Sequence, residues 1–520
     1  MSSPAPKSPE VSDKSKKYDR QIRLWGEHGQ QALESAQVCL INATCLGTEI
    51  LKGIVLPGIG GFTIVDAKVT TDEDVGCNFF LEPSSVGQSR AQCCAHLLQE
   101  LNPDVNGDYV DENIDSLLVN NTEFFKNFDL VIGTALSEKS TVMLSTKLWD
   151  LNIPFIVCRS VGFIASARLQ IREHCIVEAH PDSKQTDLRL EEPFVALREH
   201  VDSVELSPKV PWLVVLYKFL QEWSKDKPHA VPKVYKEKSE LRDLIRGAMK
   251  KDEENYEEAI KAVNSSFGGG RPSDTLRKLL DDPECLNLKK DSKPFWILVR
   301  ALRDFVANEG CGWLPVPGIL PDMTAETAFY IALQNVYRNQ ALADADAIYR
   351  RVQHLIKEIG LPCDVIAEKD VRLFCREAAN ISVIRGSRIA DEYDKAYRCA
   401  AFGDCLEVPG TLVEHYVALR AMERFHTEHG CLPVEVETDT ARLKYLSGKL
   451  FAELNIGSSL SDELAHELCR FGGAEVHSVS SFMGGCVAQE VIKIITRQFK
   501  PINNTFIYNA IKCETATYEL

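Results

Sequence analysis

The chain has 520 residues, of which 45% are hydrophobic and 26% are charged, a composition typical of globular proteins with two to four domains. Its 75 acidic and 59 basic side chains give a formal net charge of −16, which disfavours nucleic acid and anionic membranes as partners. This charge either permits a basic protein partner or serves solubility alone. No apolar run approaches the roughly 20 residues that cross a bilayer, and 17 cysteines without a secretory signal predict reduced thiols in the cytoplasm, with the nucleus as a second compartment.

The first third of the chain alternates short apolar runs with helical patterns. Residues 1–17 come before it and are rich in Ser, Pro and Lys, which predicts a disordered N-terminus. Buried strands are predicted at 38–41, 62–65, 130–132 and 154–157, and helices at 47–56, 90–101 and 140–149. This alternation predicts a parallel sheet with helices on its faces.

Long amphipathic stretches replace this alternation from about residue 170. Apolar stripes at helical spacing cover 295–306, 348–359 and 413–425, the last with Thr411 as its predicted cap, and the charged stretch 235–263 predicts a solvated helical region or two short helices. A helix opening at Met483 and strands at 505–508 and 515–518 then resume the first pattern. We therefore predict one α/β domain made of residues 18–168 and 471–520, interrupted by a mainly helical insertion at 169–470.

The turn after the first predicted strand is where a nucleotide-binding fold would hold phosphate. Glycines are needed there because a Cβ blocks close approach of the phosphates to backbone N–H groups at the helix N-terminus. The turn reads Asn42-Ala43-Thr44-Cys45-Leu46-Gly47, and only Gly47, at the position for helix–strand packing, is glycine. Asp66 ends the second strand, where an acid can bind a ribose, but without the glycines a cap or turn role is favoured. We predict a sheet turn that holds no nucleotide.

Three motifs carry a resemblance to a known family. The nine residues from Tyr18 to Gly26, the triplet Leu101-Asn102-Pro103, and Gly484-Gly485 with Gln489 to Lys493 resemble signatures of the activating enzymes for ubiquitin-like proteins. The resemblance implies a Rossmann-like adenylation domain. Within the family, the helical insertion of about 300 residues is similar to that of the regulatory chains of neddylation, the pathway that attaches a ubiquitin-like modifier to cullins. The alternative is a regulatory chain for another modifier such as SUMO.

Departures from the family pattern imply that this chain is the non-catalytic half of a heterodimer. Residues of the degenerate nucleotide site are Asn42, Thr44, Cys45, Gly47, Asp66 and Arg90, where Arg90 stands in place of the family lysine. No carboxylate follows the strand at 130–132 before Glu138, and none of the 17 cysteines is followed by the threonine that usually follows the family's catalytic cysteine. The chain is therefore expected to bind no cofactor itself. A homologous catalytic subunit is expected to hold ATP, magnesium and the nucleophilic cysteine.

The resemblance also implies one functional side chain and a partner surface. Arg20, in the opening motif, is expected to contact the ATP of the partner in trans, because a guanidinium can stabilise negative charge on the leaving pyrophosphate. The alternative is a surface arginine paired with Asp19 or a nearby Glu. Candidate partner contacts, equally suited to core packing, are Pro321, Asp322, Met323, Tyr330 and Gln334, with Asp322 or Thr324 as the predicted helix cap.

Two other classes of function compete with this interpretation. A dinucleotide-binding oxidoreductase could use the same sheet, although three expected glycines are missing from the turn. A free-standing scaffold without an enzyme partner is the other. The 12 histidines show no ligand-like spacing and no C-x-x-C pair occurs, so the sequence predicts no metal site.

Overall fold

A computed structural model describes residues 16–121, 123–182, 186–225, 231–250, 253–394, 411–454 and 459–520. These residues form two compact units. The first contains the described residues up to His174 and those from Ile384 onward, and the second is Cys175–Val383. Residues 1–15, which carry most of the predicted disordered N-terminus, lie outside the described part of the chain.

The first unit is built on an eight-stranded sheet. The strands are β1 (Gln37–Ile41), β2 (Gly61–Val65), β3 (Asn106–Val110), β4 (Leu130–Thr134), β5 (Phe155–Val161), β6 (Ile164–Gln170), β9 (Thr505–Asn509) and β10 (Glu514–Tyr518). Their order is β10-β9-β6-β5-β4-β1-β2-β3. The five strands from β3 to β5 are parallel, and β6, β9 and β10 are antiparallel to their neighbours. The short strands β7 (His174–Ile176) and β8 (Ser382–Ile384) pair with each other where the chain leaves and re-enters this unit.

Helices of the first unit cover the sheet. They are α1 (Asp19–Ser35), α2 (Cys45–Val55), α3 (Asp72–Cys77), α4 (Arg90–Glu100), α5 (Ile114–Asn120), α6 (Glu138–Asp150), α16 (Val413–His429), α17 (Val436–Glu453), α18 (Asp462–Phe471) and α19 (His477–Thr496). Short 3-10 turns lie at Pro83–Ser85, Phe124–Asn127 and Ile389–Tyr393.

The second unit is mainly helical, as the apolar stripes predict. Its helices are α7 (Val195–Ser203), α8 (Trp212–Trp223), α9 (Tyr235–Ala248), α10 (Glu254–Ala262), α11 (Asp274–Leu280), α12 (Pro283–Leu286), α13 (Pro294–Ala307), α14 (Thr327–Glu358) and α15 (Glu368–Glu377). No helix of the described residues in either unit is long and apolar enough to cross a membrane.

Alternate residues of β1 explain why the sheet needs helices on both faces. Val38 and Leu40 pack with α2, α4 and α19 on one face, whereas Cys39 and Ile41 pack with α5 and α6 on the other. Neighbouring side chains of a strand point to opposite faces, so a strand that is apolar throughout must be covered twice. The predicted α/β architecture is confirmed, with a mixed rather than wholly parallel sheet.

Two strands carry too little apolar signal to be recognised in the sequence. The edge strand β3 is mostly exposed and polar. β6 is wholly buried, yet it contains Arg168 and Gln170. Arg168 is accommodated because its Nε lies 2.6 Å from the Glu392 carboxylate, and the Tyr416 hydroxyl donates to the other Glu392 oxygen at 2.7 Å. Burial raises the pKa of Glu392, but Arg168 and Arg420 outweigh it and the pKa is lowered overall.

Several predicted boundaries differ from those in the structure. The predicted insertion at 169–470 is larger than the second compact unit, because α16, α17 and α18 share an apolar cluster with β5, β6 and β9 of the first. The helix predicted to open at Met483 begins at His477, so Met483 lies in its interior. The stripe at 348–359 is the end of α14, a single helix that starts at Thr327. Residues 235–263 do form two helices, α9 and α10.

Two predicted caps are wrong. α14 takes Glu326 as its N-cap residue, and the Thr324 backbone N–H and hydroxyl bond instead to the Glu258 carboxylate at 3.0 and 2.7 Å. α16 takes Leu412 as its cap residue, and the Thr411 hydroxyl bonds the Tyr518 hydroxyl at 3.0 Å and accepts a long 3.4 Å bond from the Val413 N–H. In both cases the threonine hydroxyl bonds a side chain distant in sequence instead of capping the helix.

Candidate functional site

The turn between β1 and α2 has side chains at positions where a phosphate turn needs glycine. Asn42 adopts a left-handed conformation with φ of +66°, which glycine and asparagine tolerate better than other residues. Its side-chain amide donates to the carbonyls of Thr134 at 2.7 Å and Ala135 at 3.3 Å, at the end of β4. The Asn42 side chain therefore ties β1 to β4 where glycine would leave open space.

The backbone N–H groups at the N-terminus of α2 are bonded to acceptors of the chain itself. The Leu46 N–H donates to a Glu475 carboxylate oxygen at 2.8 Å, and the Ala43 N–H donates to Asp66 at 2.9 Å. Thr44 caps the helix, its hydroxyl accepting from the Gly47 N–H at 3.2 Å. A helix N-terminus favours an anion because its N–H groups are free and its dipole is positive. Here the acceptor is supplied from within the chain, as the side-chain carboxyl group of Glu475.

Glu475 sits in an environment that disfavours its own charge. Burial raises the pKa of Glu475 to about 7, and the bonds from Leu46 and Thr44, with the charge of Arg90, oppose this rise without cancelling it. No sequence motif in the loop before α19 marks Glu475 as part of the site. Its partner Leu46 is 429 residues away in sequence.

Arg90 and Asp66, both predicted members of the degenerate site, bind each other. Arg90 Nε lies 2.7 Å from Asp66 Oδ2, and its Nη1 lies 2.9 Å from Asp74 Oδ1. The Arg90 side chain is only 5% exposed. Burial opposes its charge, but the two carboxylates outweigh that effect and raise the pKa of Arg90. Asp66 also accepts from the Lys68 N–H at 2.9 Å, so it serves as a turn residue and an ion-pair partner.

Cys45 lies at the helix N-terminus but in an inactive thiol form. Its Sγ donates to the Cys77 carbonyl at 3.1 Å, and the contact with Cys77 and burial both raise the pKa of Cys45. A nucleophilic cysteine needs a lowered pKa and some exposure. Among the residues that the structure describes, no group of three or more His, Cys, Asp or Glu side chains could hold a metal ion.

The opening motif and the Leu-Asn-Pro motif contact each other. The Asn102 side-chain amide donates to the buried Tyr18 hydroxyl at 3.0 Å and to the Val55 carbonyl at 2.8 Å. The Lys17 ammonium donates to the Asn102 side-chain oxygen Oδ1 at 2.6 Å. These bonds fix the start of α1 to the end of α2, and Arg20 lies in the first turn of α1.

Arg20 is exposed at this anchored helix end. Asp19, its expected surface partner, pairs with Arg23 at 3.0 Å. Across the described ranges the Arg20 side chain has no ion pair or hydrogen bond. A guanidinium without an intramolecular partner, on an immobilised helix end, is available to a group outside this chain.

The Gly484-Gly485 motif serves helix packing. A Cβ at Gly484 would lie 2.7 Å from the Glu49 Cβ, and a Cβ at Gly53 would lie 2.5 Å from the Ala488 Cβ. The absence of these side chains lets α19 lie directly against α2, the helix whose N-terminus forms the turn. Gly485 has open space around it.

The candidate partner contacts divide between core and surface. Met323 and the start of α14 pack against the apolar cluster around α8, and Pro321 and Tyr330 are half-buried. Asp322 and Gln334 are exposed, and Ile331 beside them is 48% exposed. Tyr330 and Gln334 lie one turn apart on α14.

Comparisons with known proteins identify relatives along the whole chain. The model of the ThiF family matches residues 18–520. The chain is 57% identical to the Nedd8-activating enzyme E1 regulatory subunit of Drosophila melanogaster, over the full length of both. It is 46% identical to the NEDD8-activating enzyme E1 regulatory subunit of Xenopus laevis, covering 98% of this chain and 99% of the relative. It is 38% identical to the NEDD8-activating enzyme E1 regulatory subunit AXR1 of Arabidopsis thaliana, covering 97% and 96%.

Proposed function

This chain belongs to the ThiF family, and we propose that it is the regulatory subunit of a heterodimeric enzyme that activates the ubiquitin-like modifier NEDD8. The names of its full-length relatives support this assignment. The enzyme adenylates the C-terminus of the modifier, with pyrophosphate as the leaving group, and then transfers it to a cysteine of the partner subunit. A regulatory subunit for another modifier, or an oxidoreductase, is not favoured by these relatives.

One structural observation carries the non-catalytic part of this function. The N–H groups that would bind phosphate at the N-terminus of α2 are bonded to Glu475 and Asp66. A nucleotide would have to displace both carboxyl groups and would meet the negative charge of Asp66. ATP and magnesium are therefore assigned to the homologous catalytic subunit, and this chain is assigned no cofactor and no activity of its own.

Arg20 is the residue through which this chain would act on that ATP. Adenylation develops negative charge on the pyrophosphate, which a guanidinium stabilises through paired hydrogen bonds. The exposed, unpaired Arg20 on an anchored helix end supports this role. An arginine supplied in trans would also make catalysis depend on heterodimer assembly.

The first experiment measures ATP binding to the purified chain by calorimetry. We expect no saturable binding at millimolar ATP or NAD, because the site is already filled. The co-purified catalytic subunit serves as the positive control. Tight binding of either nucleotide by this chain alone would overturn the assignment of the ATP site to the partner.

The second experiment tests Arg20 in the reconstituted heterodimer. Arg20→Ala is expected to lower modifier-dependent ATP–pyrophosphate exchange by about 100-fold, the scale seen when one transition-state donor is removed. Arg23→Ala, on the same helix and 76% exposed, is the matched control and should keep the exchange rate. An unchanged rate in Arg20→Ala with an intact dimer would remove Arg20 from the mechanism.

The modifier, the partner surface and the cellular location need separate tests. Pyrophosphate exchange with NEDD8, SUMO and ubiquitin in parallel should be fastest with NEDD8, and faster exchange with SUMO would favour the alternative. We also assign Gln334 and Tyr330 on α14 to a partner contact. Gln334→Arg should then weaken the heterodimer or modifier binding in a pull-down. Fractionation of cells should recover the chain in the cytoplasm, with a nuclear share.

A further inference from the structure

The second unit contains a cavity that none of the functions above uses. It has a volume of about 420 Å³ and lies between residues 316–318 and the helices α14 and α15. Its apolar lining on the two helices, called the floor below, includes Leu342 and Leu373 together with alanines of α14. Both leucines are only partly buried and belong to neither of the two apolar clusters of this unit. The floor is therefore apolar surface that the fold itself does not cover.

The walls of this cavity are cationic. Its four charged lining residues are Arg338, Lys369, Arg372 and Arg376, and no carboxylate lines it. Arg372 pairs with Glu368 on the same helix, and Arg376 lies 3.3 Å from Glu377. Within the described residues of this unit, Arg338 and Lys369 have neither an ion pair nor a side-chain hydrogen bond. In a chain with net charge −16, this is a local positive site.

Residues 316–318, which line the cavity opposite the two helices, are held in place by contacts with α14. The Val316 N–H donates to the buried Asp344 carboxylate of α14 at 2.9 Å. Gly318 has φ of +71°, and a Cβ there would lie 2.8 Å from the Ala341 Cβ. The loop can lie this close to α14 only because position 318 has no side chain. The cavity is thus preformed, as ligand sites usually are.

We infer that this cavity binds a short acidic peptide segment of a partner protein, with one large apolar side chain between carboxylates. The apolar side chain would cover Leu342 and Leu373, and the carboxylates would pair with Arg338 on α14 and Lys369 on α15. The volume lies near the lower end of the roughly 300–1,000 Å³ of ligand pockets, enough for a few residues. An extended polyanion such as nucleic acid would run onto the acidic remainder of the surface, which repels it.

The test uses the full chain and a fluorescein-labelled peptide of sequence Glu-Glu-Leu-Glu-Glu, followed by anisotropy. Saturable binding is expected, and K369E and R338E should each weaken it by at least about tenfold, because each replaces an attraction with a repulsion. K357E on α14 outside the cavity is the matched control and should bind like the unchanged chain. All three side chains are exposed, so folding should be preserved, which circular dichroism checks.

Further probes separate a peptide site from a general anion site. A peptide with serine in place of leucine should bind about tenfold more weakly, since the floor then loses its apolar contact. A Lys-Lys-Leu-Lys-Lys peptide should bind the K369E/R338E double variant in preference to the unchanged chain. Three results would overturn the inference: no binding at millimolar peptide, equal binding by K369E, or equally tight binding of tripolyphosphate or single-stranded DNA.

Discussion

Replacing Glu475 with glutamine removes one charge at the N-terminus of α2 and keeps an oxygen that can accept the Leu46 N–H. Burial raises the pKa of Glu475 from its ordinary 4.5 to about 7, so below that pH the folded chain holds mainly the protonated carboxyl. Each pKa unit corresponds to about 1.4 kcal/mol. A charged Glu475 therefore lowers the free energy of unfolding by at most about 3 kcal/mol. Because the side chain is partly exposed and solvent screens its charge, we expect a reduction of about 1–3 kcal/mol.

The sign of the pH dependence follows from proton binding. Between the unfolded pKa of 4.5 and the folded pKa of about 7, the folded state binds more protons than the unfolded state. The contribution of this group to stability is therefore most favourable below the lower value, declines as pH rises through that window, and is constant above it. Glu475→Gln lacks this decline. The free energy of unfolding of Glu475→Gln should therefore equal that of the unchanged chain below about pH 4.5. It should exceed it most above neutral pH.

Urea unfolding followed by circular dichroism measures this difference. The advantage of Glu475→Gln should be about 1 kcal/mol larger at about pH 8 than at about pH 6. Glu437→Gln, an exposed position on α17, is the matched control and should change stability little at either pH. A pH-independent effect of Glu475→Gln, or a loss of stability at pH 8, would refute the assignment of a strained carboxylate to this site.

Three further predictions concern the packing and polar contacts of the first unit. Gly484→Ala should lower the free energy of unfolding of this unit by about 1–3 kcal/mol, measured by urea unfolding. Gly485→Ala should leave it unchanged or raise it by up to about 1 kcal/mol. Equal effects of the two variants would contradict the close contact between α19 and α2. Glu392→Gln should cost about 3–5 kcal/mol, because buried Arg168 loses its counter-charge, and a small loss would show that water reaches the pair. Asn42→Ala should cost about 2 kcal/mol through its positive φ and lost bonds, and Asn42→Gly less; a larger cost for glycine would mean that the side-chain bonds outweigh the strain.

The sequence predicts those parts of the fold whose burial is apolar. β1 and β2 are short apolar runs between turn residues, and their positions were predicted to within one residue. β6 is buried to the same degree, but its burial depends on Glu392, more than 220 residues away in sequence. Local patterns contain no signal for such an ion pair, so the strand was missed.

In the candidate site, too, the features set by neighbouring residues could be predicted and those set by contacts distant in sequence could not. The loss of glycines, the turn role of Asp66 and the exposed Arg20 could all be expected from residues within a few positions of a motif. The acceptor for the Leu46 N–H could not, because Glu475 reaches the turn only through the packing of α19 on α2. Gly484 contacts α2 from the interior of α19, not from its first turn. The helix therefore begins before Met483, where the glycine pair alone suggests its start.

The bonded amides of the β1–α2 turn also bear on how such a chain can evolve. Restoring glycine at position 42 would reopen space for a phosphate but leave the Ala43 and Leu46 N–H groups occupied. Removing Glu475 alone would break an internal bond and gain no ligand in return. A descendant with a nucleotide site at this turn would need substitutions near both ends of the gene together. The internal bonds of this turn therefore involve residues near both ends of the chain, and no single substitution converts the turn into a phosphate site.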